Sequence, residues 1–151
     1  MSHSYNKIWI HAIWATKNRQ KLITQEVEGS LYPFLLSQFK DLDCPVRVLN
    51  GMPDHVHCLF LLDANKSVVE VLKQVKGSSS HFINQEDLII EKFAWQTGYG
   101  AFSVSESGIQ KVQEYIRYQK QHHQVRSFEQ EYTSFLSLHG FKENKLSNTV
   151  Y

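Results

Sequence analysis

Residues 53–62, PDHVHCLFLL, decide how the chain is read. Successive side chains of a strand point to opposite faces. His55 and His57 therefore share one face, while Val56, Cys58, Phe60 and Leu62 share the other, which has the character of a core. The two imidazoles stand two residue rises apart, roughly 7 Å along the strand. That spacing lets two ring nitrogens converge on one divalent ion, for which imidazole is a common ligand. It equally suits a pair of exposed or hydrogen-bonded histidines, and a lone His-x-His does not choose between the two.

Upstream, residues 45–51 (PVRVLNG) read as a strand joined to 55–62 by a turn at Met52-Pro53-Asp54. Residues 24–41 read as a helix capped by Thr24, with Glu26 and Glu28 in its first turn and an apolar stripe of Leu31, Phe34, Leu35 and Phe39. Residues 5–16 (YNKIWIHAIWAT), rich in β-branched and aromatic types, read as a strand buried on both faces, in which His11 either lies near the active site or simply packs, and packing is the favoured expectation. Downstream, 67–83 form a helix with Val68, Val71, Leu72 and Val75 on one face, and 93–104 (FAWQTGYGAFSV) a glycine-interrupted strand. Helices at 108–124, with Ile109, Val112 and Ile116 inward, and at 127–138 complete the order. The expected architecture is α+β: a ferredoxin-like antiparallel sheet with helices packed on one face. One domain spans residues 1–139, followed by a polar C-terminal tail, 140–151.

Two histidines do not complete an ion site. Tyr115 and Gln119, spaced i, i+4, are neighbours on a helix surface, and with His122 and Arg126 they form one stripe bordering the apolar face. Such a stripe lies at the rim of a helix–sheet interface, where Gln119 can offer a carbonyl oxygen. A tyrosine there is also well used simply by packing its ring at the core edge. As a nucleophile, a phenol of pKa about 10 needs a cation to stabilise the charge that develops on its substrate. Attack on a DNA phosphodiester would conserve the bond energy in a phosphotyrosine, so that rejoining needs no ATP.

Composition bounds the rest. The chain has 151 residues, enough for one core-bearing domain, with an ordinary globular mix of 42% hydrophobic and 21% charged residues. Its net charge of +1 does not announce a nucleic-acid binder. Two basic segments do stand out: Lys7, Lys17, Arg19 and Lys21 with no acid before residue 22, and Lys111, Arg117, Lys120 and Arg126 against Glu114 alone. They make either one electrostatic footprint or two solvated faces. Of the two cysteines, Cys58 reads as a buried thiol. No apolar run is long enough to span a membrane and none resembles a signal peptide, so a cytoplasmic setting is expected, nucleoid-associated if the chain binds DNA.

The segment PDHVHCLFLL resembles the His-hydrophobic-His strand of the HUH superfamily, and VQEYIRYQ (112–119) resembles the catalytic helix of its single-tyrosine transposases. HAIWATKNRQKLI (11–23), VLKQVKGSSSHF (71–82) and WQTGYGAFSVSES (95–107) fit the same family in the same order, the TnpA-type transposases of the smallest insertion sequences and the REP-associated tyrosine transposases. The resemblance covers roughly residues 5–135 and implies a ferredoxin-like dimer. It implies Mg²⁺ or Mn²⁺ held by His55, His57 and Gln119, and Tyr115 as the nucleophile that leaves a 5′-phosphotyrosine and a free 3′-OH. The implied partners are single-stranded DNA with hairpins and a second copy of the chain, with no membrane and no small-molecule substrate. Lys17, Arg19, Arg117 and Lys120 are the candidate DNA contacts. The chain departs from the family at Ser78, Ser79, Ser80 and His81, where arginines often follow the Lys-Gly pair. Alternatives are a related HUH nickase, a domesticated REP-associated tyrosine transposase and a non-catalytic DNA-hairpin-binding module. A histidine-triad hydrolase is excluded because Leu59 stands where its third histidine must be.

Overall fold

The computed structural model describes residues 3–122 and 126–141, the side chain of His122 excepted. Four strands, β1 (Ile8–Ala15), β2 (Val46–Met52), β3 (His55–Leu62) and β4 (Gly100–Val104), form one antiparallel sheet in the order β2-β3-β1-β4. The helices are α1 (Gln25–Asp41), α2 (Val68–Glu86), α3 (Ile109–Arg117), α4 (Gln119–His122) and α5 (Phe128–Leu138). The central strands β1 and β3 bury both faces because neither carries a charged side chain.

On one face, Ile10, Ala12 and Trp14 of β1 meet Val56, Cys58 and Phe60 of β3 under Val27, Leu31, Leu35 and Phe39 of α1 and Val71, Leu72, Val75 and Ile83 of α2. This is the main core, and burying each of its Val, Leu, Ile and Phe side chains contributes about 1.5–3 kcal/mol. Thr24 caps α1 by accepting from the Val27 amide, as its sequence predicts. Ser67 and Glu70 form a reciprocal capping box on α2.

The opposite face is also covered, which corrects the expectation of helices on one face only. Leu59 packs with Ile109 and Ile116 of α3, while Ile13, Ala15 and Phe102 pack with Phe128 and Tyr132 of α5. The reason is the two-sided apolar character of β1 and β3: a second bare face would leave Ile13, Leu59 and Phe102 in water.

Two further elements differ from the sequence expectation. The strand read at 93–104 is ordered as strand only from Gly100, with Trp95 making an isolated bridge to Thr16. Gly98, at φ 93°, turns the chain between them, and Phe93 and Trp95 serve the main core instead. The helix read at 108–124 breaks at Tyr118, and residues 123–125 lie outside the described residues. Asn50 Nδ2 donates to the Arg117 carbonyl (2.9 Å), an acceptor a continuous helix would give to residue 121, and the Gln121 amide turns to the Tyr118 carbonyl. Of the expected tail, 142–151 also fall outside the described residues.

Candidate active site

The register places the chemistry. Across the β1–β3 pair, His11 faces Leu59, Ile13 faces His57 and Ala15 faces His55, so all six lie on the side away from the main core. His55 and His57 project together as alternation predicts, with ring centroids 5.2 Å apart, and both are fully buried. Tyr115, on α3, sits over them with its ring 6.0 Å from that of His57. Gln119 opens α4 and is fully buried, its Oε1 3.3 Å from His55 Nε2. The structure therefore brings His55, His57, Tyr115 and Gln119 to one point. His122, placed on the same stripe by sequence, falls outside the described side chains.

A residue not foreseen stands at the centre. Glu131 of α5 is 2% exposed. Its Oε1 lies 2.8 Å from His57 Nε2 and 3.3 Å from His55 Nε2. Its Oε2 accepts from Gln119 Nε2 (2.8 Å) and from the Tyr115 hydroxyl. The signal for it was an acid inside an apolar stripe: Phe128, Tyr132 and Phe135 share the i, i+4, i+7 face of α5, and Glu131 lies within it. Two more partners fix the imidazoles. Asp54 Oδ1 stands 2.7 Å from His55 Nδ1, and His11 Nε2 stands 2.8 Å from His57 Nδ1. His11 thus does more than pack.

The donor set tests whether a divalent cation fits. Asp54 can only accept, so it fixes the proton of a neutral His55 on Nδ1 and leaves a lone pair on Nε2. That lone pair faces two more acceptors, Gln119 Oε1 and Glu131 Oε1. Gln119 cannot be turned over without aiming its oxygen at Glu131 Oε2. The lone pairs that converge on His55 Nε2 with no proton between them call for a cation, either a proton on that imidazole or a metal ion. The spacings fit a metal ion as well as hydrogen bonds, because ligands bonded at 2.0–2.2 Å and set at right angles lie about 3 Å apart. The ligand atoms of His55, His57 and Glu131 all lie within 4.8 Å of one another.

The ionisation tendencies follow from the same contacts. Burial pushes His55 down, but its hydrogen bonds to Asp54 and Glu131 and their charges outweigh this, and its pKa stands above 6.5. His11 is held well below 6.5 by burial and then by His57. Burial first, and the bond to Glu131 second, raise the Tyr115 phenol above its ordinary value, so in this arrangement it resists ionisation.

The four candidate DNA contacts are spread around this site. Lys17 and Arg19 lie on a 3-10 turn after β1, and Arg19 pairs with Glu129 of α5. Arg117 ends α3 and is exposed. Lys120 bonds Glu28 (3.0 Å), Asn50 (3.1 Å) and the Gly51 carbonyl (3.1 Å).

A histidine pair on a central strand of an antiparallel sheet, faced by a tyrosine of α3 and an amide of α4, defines an α+β protein whose candidate site lies on a buried sheet face rather than at a strand end. The chain belongs to the IS200-like transposase family, whose model matches residues 4–119. It is 28% identical over 114 residues to the ISDra2 transposase TnpA of Deinococcus radiodurans, covering 72% of this chain and 81% of that one. Among solved structures it resembles one described as a transposase from D. radiodurans R1, with TM-score 0.62, 27% identity, and coverage of 79% of this chain and 95% of that. It shares the fold of a REP-associated tyrosine transposase bound to a REP hairpin, with TM-score 0.60, 15% identity, and coverage of 82% and 74%. Glu131 and the whole of α5 lie beyond the residues that the family model matches.

Proposed function

We propose that this protein is a DNA transposase that cleaves and rejoins single-stranded DNA at hairpin-marked element ends through a 5′-phosphotyrosine on Tyr115. The observation that carries this reading is the convergence of Tyr115, Gln119, His55 and His57 on one buried carboxylate, at a seat rich in lone pairs. In the step, the Tyr115 oxygen bonds to phosphorus and the phenol loses its proton. The P–O3′ bond breaks and the 3′ oxygen gains a proton. Rejoining reverses both.

His55, His57 and Glu131 would hold Mg²⁺ or Mn²⁺, with the Gln119 carbonyl as a further ligand. Such an ion supplies positive charge for the phosphoryl oxygens and orients the phosphate. The protein's own part is to hold the reacting groups. His11 and Asp54 lock the imidazole rings, and Ile116 seats α3 so that the Tyr115 ring overhangs them.

The strand order β2-β3-β1-β4 with two crossover helices supports reading the sheet as ferredoxin-like. The homodimer and the cytoplasmic, nucleoid-associated setting belong to the same proposal. No helix among the described residues is long and apolar enough to cross a membrane. Lys17 and Arg117 are exposed and available to DNA phosphates. Arg19 and Lys120 would exchange their acidic partners, Glu129 and Glu28, for phosphate. Hairpin recognition is proposed here by likeness to the REP-bound relative.

The test is incubation with labelled single-stranded hairpin DNA and Mn²⁺, followed by a denaturing gel. Wild type is expected to give a covalent protein–DNA band that maps to Tyr115. Tyr115→Phe is expected to bind the hairpin equally and give no band. A band that survives the substitution removes Tyr115 from the chemistry.

A further inference from the structure

The two imidazoles of the site are held differently at their Nδ1 atoms. His55 Nδ1 lies 2.7 Å from Asp54 Oδ1, which can only accept, so that ring keeps a proton on Nδ1 whatever stands at Nε2. His57 Nδ1 lies 2.8 Å from His11 Nε2, a group that can donate or accept. His11 comes from β1, the strand paired with β3, and is 1% exposed. The Phe135 ring stands edge-on to it, with centroids 5.1 Å apart. A polar ring buried beside aromatics costs free energy unless its nitrogens are used.

The position of one proton decides what that nitrogen does. His57 Nε2 lies 2.8 Å from Glu131 Oε1. A carboxylate accepts there, so a neutral His57 bonded to Glu131 carries its proton on Nε2 and offers a lone pair at Nδ1, to which His11 Nε2–H donates. A divalent ion at His57 Nε2 needs the lone pair on that atom instead. The His57 proton must then sit on Nδ1. His11 Nε2 must accept it, which puts the His11 proton on its own Nδ1. Each ring holds one proton before and after, so neither changes charge. An acceptor-only partner, like the one behind His55, would set the lone pairs of His57 Nε2 and Glu131 Oε1 against each other whenever no ion was bound.

We propose that His11 is a positioning residue for the divalent ion: by donating to His57 in one state and accepting from it in the other, it lets His57 pair with Glu131 or ligate the ion without moving either side chain. The inference rests on the function proposed above and adds a coupled shift of two ring protons to the locking of the rings. Glu131 stays in place in both states. It accepts the His57 proton in one and is a ligand in the other. His55 takes no part in the shift, because Asp54 fixes its tautomer.

The experiment reads the ring protons directly. In wild type with nitrogen-labelled histidine rings, proton–nitrogen correlation NMR shows which nitrogen of His11 and of His57 carries hydrogen. Without divalent ions both are expected to be protonated at Nε2. With saturating Mg²⁺ both are expected to be protonated at Nδ1, while His55 keeps its Nδ1 proton throughout. Mn²⁺ affinity, read by electron paramagnetic resonance, is expected to fall on the order of tenfold or more in His11→Leu. His11→Gln is expected to recover most of that loss, because its amide can present either an oxygen or an N–H to His57 Nδ1. A His11 ring protonated at the same nitrogen with and without bound Mg²⁺ overturns the coupled shift and leaves the metal site and Tyr115 chemistry standing. Wild-type Mn²⁺ affinity in His11→Leu overturns it equally, and the wild-type spectra decide the matter if neither variant folds. A wild type that binds no Mn²⁺ at His55 and His57 overturns the metal site itself, and this inference with it.

Discussion

His11 and His55 set opposite pH dependences on the fold. An unfolded histidine titrates near 6.5. Folding holds His11 neutral well below that value, so the unfolded chain binds the extra proton. The stability that neutral His11 contributes is complete above 6.5 and is lost as pH falls below 6.5 toward its folded value. His55, raised above 6.5, contributes stability that is complete below 6.5 and is lost as pH rises through its folded value. Urea unfolding of His11→Asn, which keeps a hydrogen-bonding side chain without the titration, is expected to vary less with pH below 6.5 than that of wild type. Equal pH slopes would contradict this account of His11. The histidine pair was legible because strand alternation alone puts His55 and His57 on one side. His11 was not, because its approach to His57 depends on the β1–β3 register, which no single strand encodes. Glu131 was hidden for a related reason: an acid in the first turn of a helix has an ordinary purpose against the helix dipole, and only tertiary docking turns it inward.

At the scale of elements, α3 is an aiming device for the phenol. Ile116, fully buried against Leu59 and Ile109, sits one residue after Tyr115 and fixes the roll of the helix. Ile116→Ala is expected to cost about 2–5 kcal/mol in urea unfolding and to weaken adduct formation with it, since the ring it positions loses its seat. A loss well under 1 kcal/mol would mean that α3 is held by something else. The elements themselves were largely readable: Thr24 marks the start of α1, and the β2–β3 turn falls at Pro53 and Asp54. What periodicity did not supply was the break at Tyr118, where the Asn50 side chain of β2 takes the Arg117 carbonyl, and the shortness of β4, whose upstream aromatics are drawn into the core.

At the scale of the molecule, one sheet separates two tasks. One face holds the apolar core that makes the chain fold, and the other holds polar groups whose burial is costly without partners. Helices were expected on one face only, and with α3 and α5 upon the other a substrate is expected to arrive at the edge of that layer. A flexible single strand can enter such a layer, whereas a stiff duplex cannot. Cleavage of a hairpin-bearing single strand is therefore expected to exceed cleavage of the matching perfect duplex by a wide margin in a parallel gel assay, and equal cutting would speak against a site of this shape. The central claim is that the two imidazoles and Glu131 grip a cation directly beside the Tyr115 phenol. Anomalous diffraction from crystals grown with Mn²⁺ tests it most directly. The account predicts one peak within bonding distance of His55 Nε2 and His57 Nε2, on the side facing Tyr115. A well-ordered site with no peak there, or with manganese only elsewhere on the protein, would contradict it.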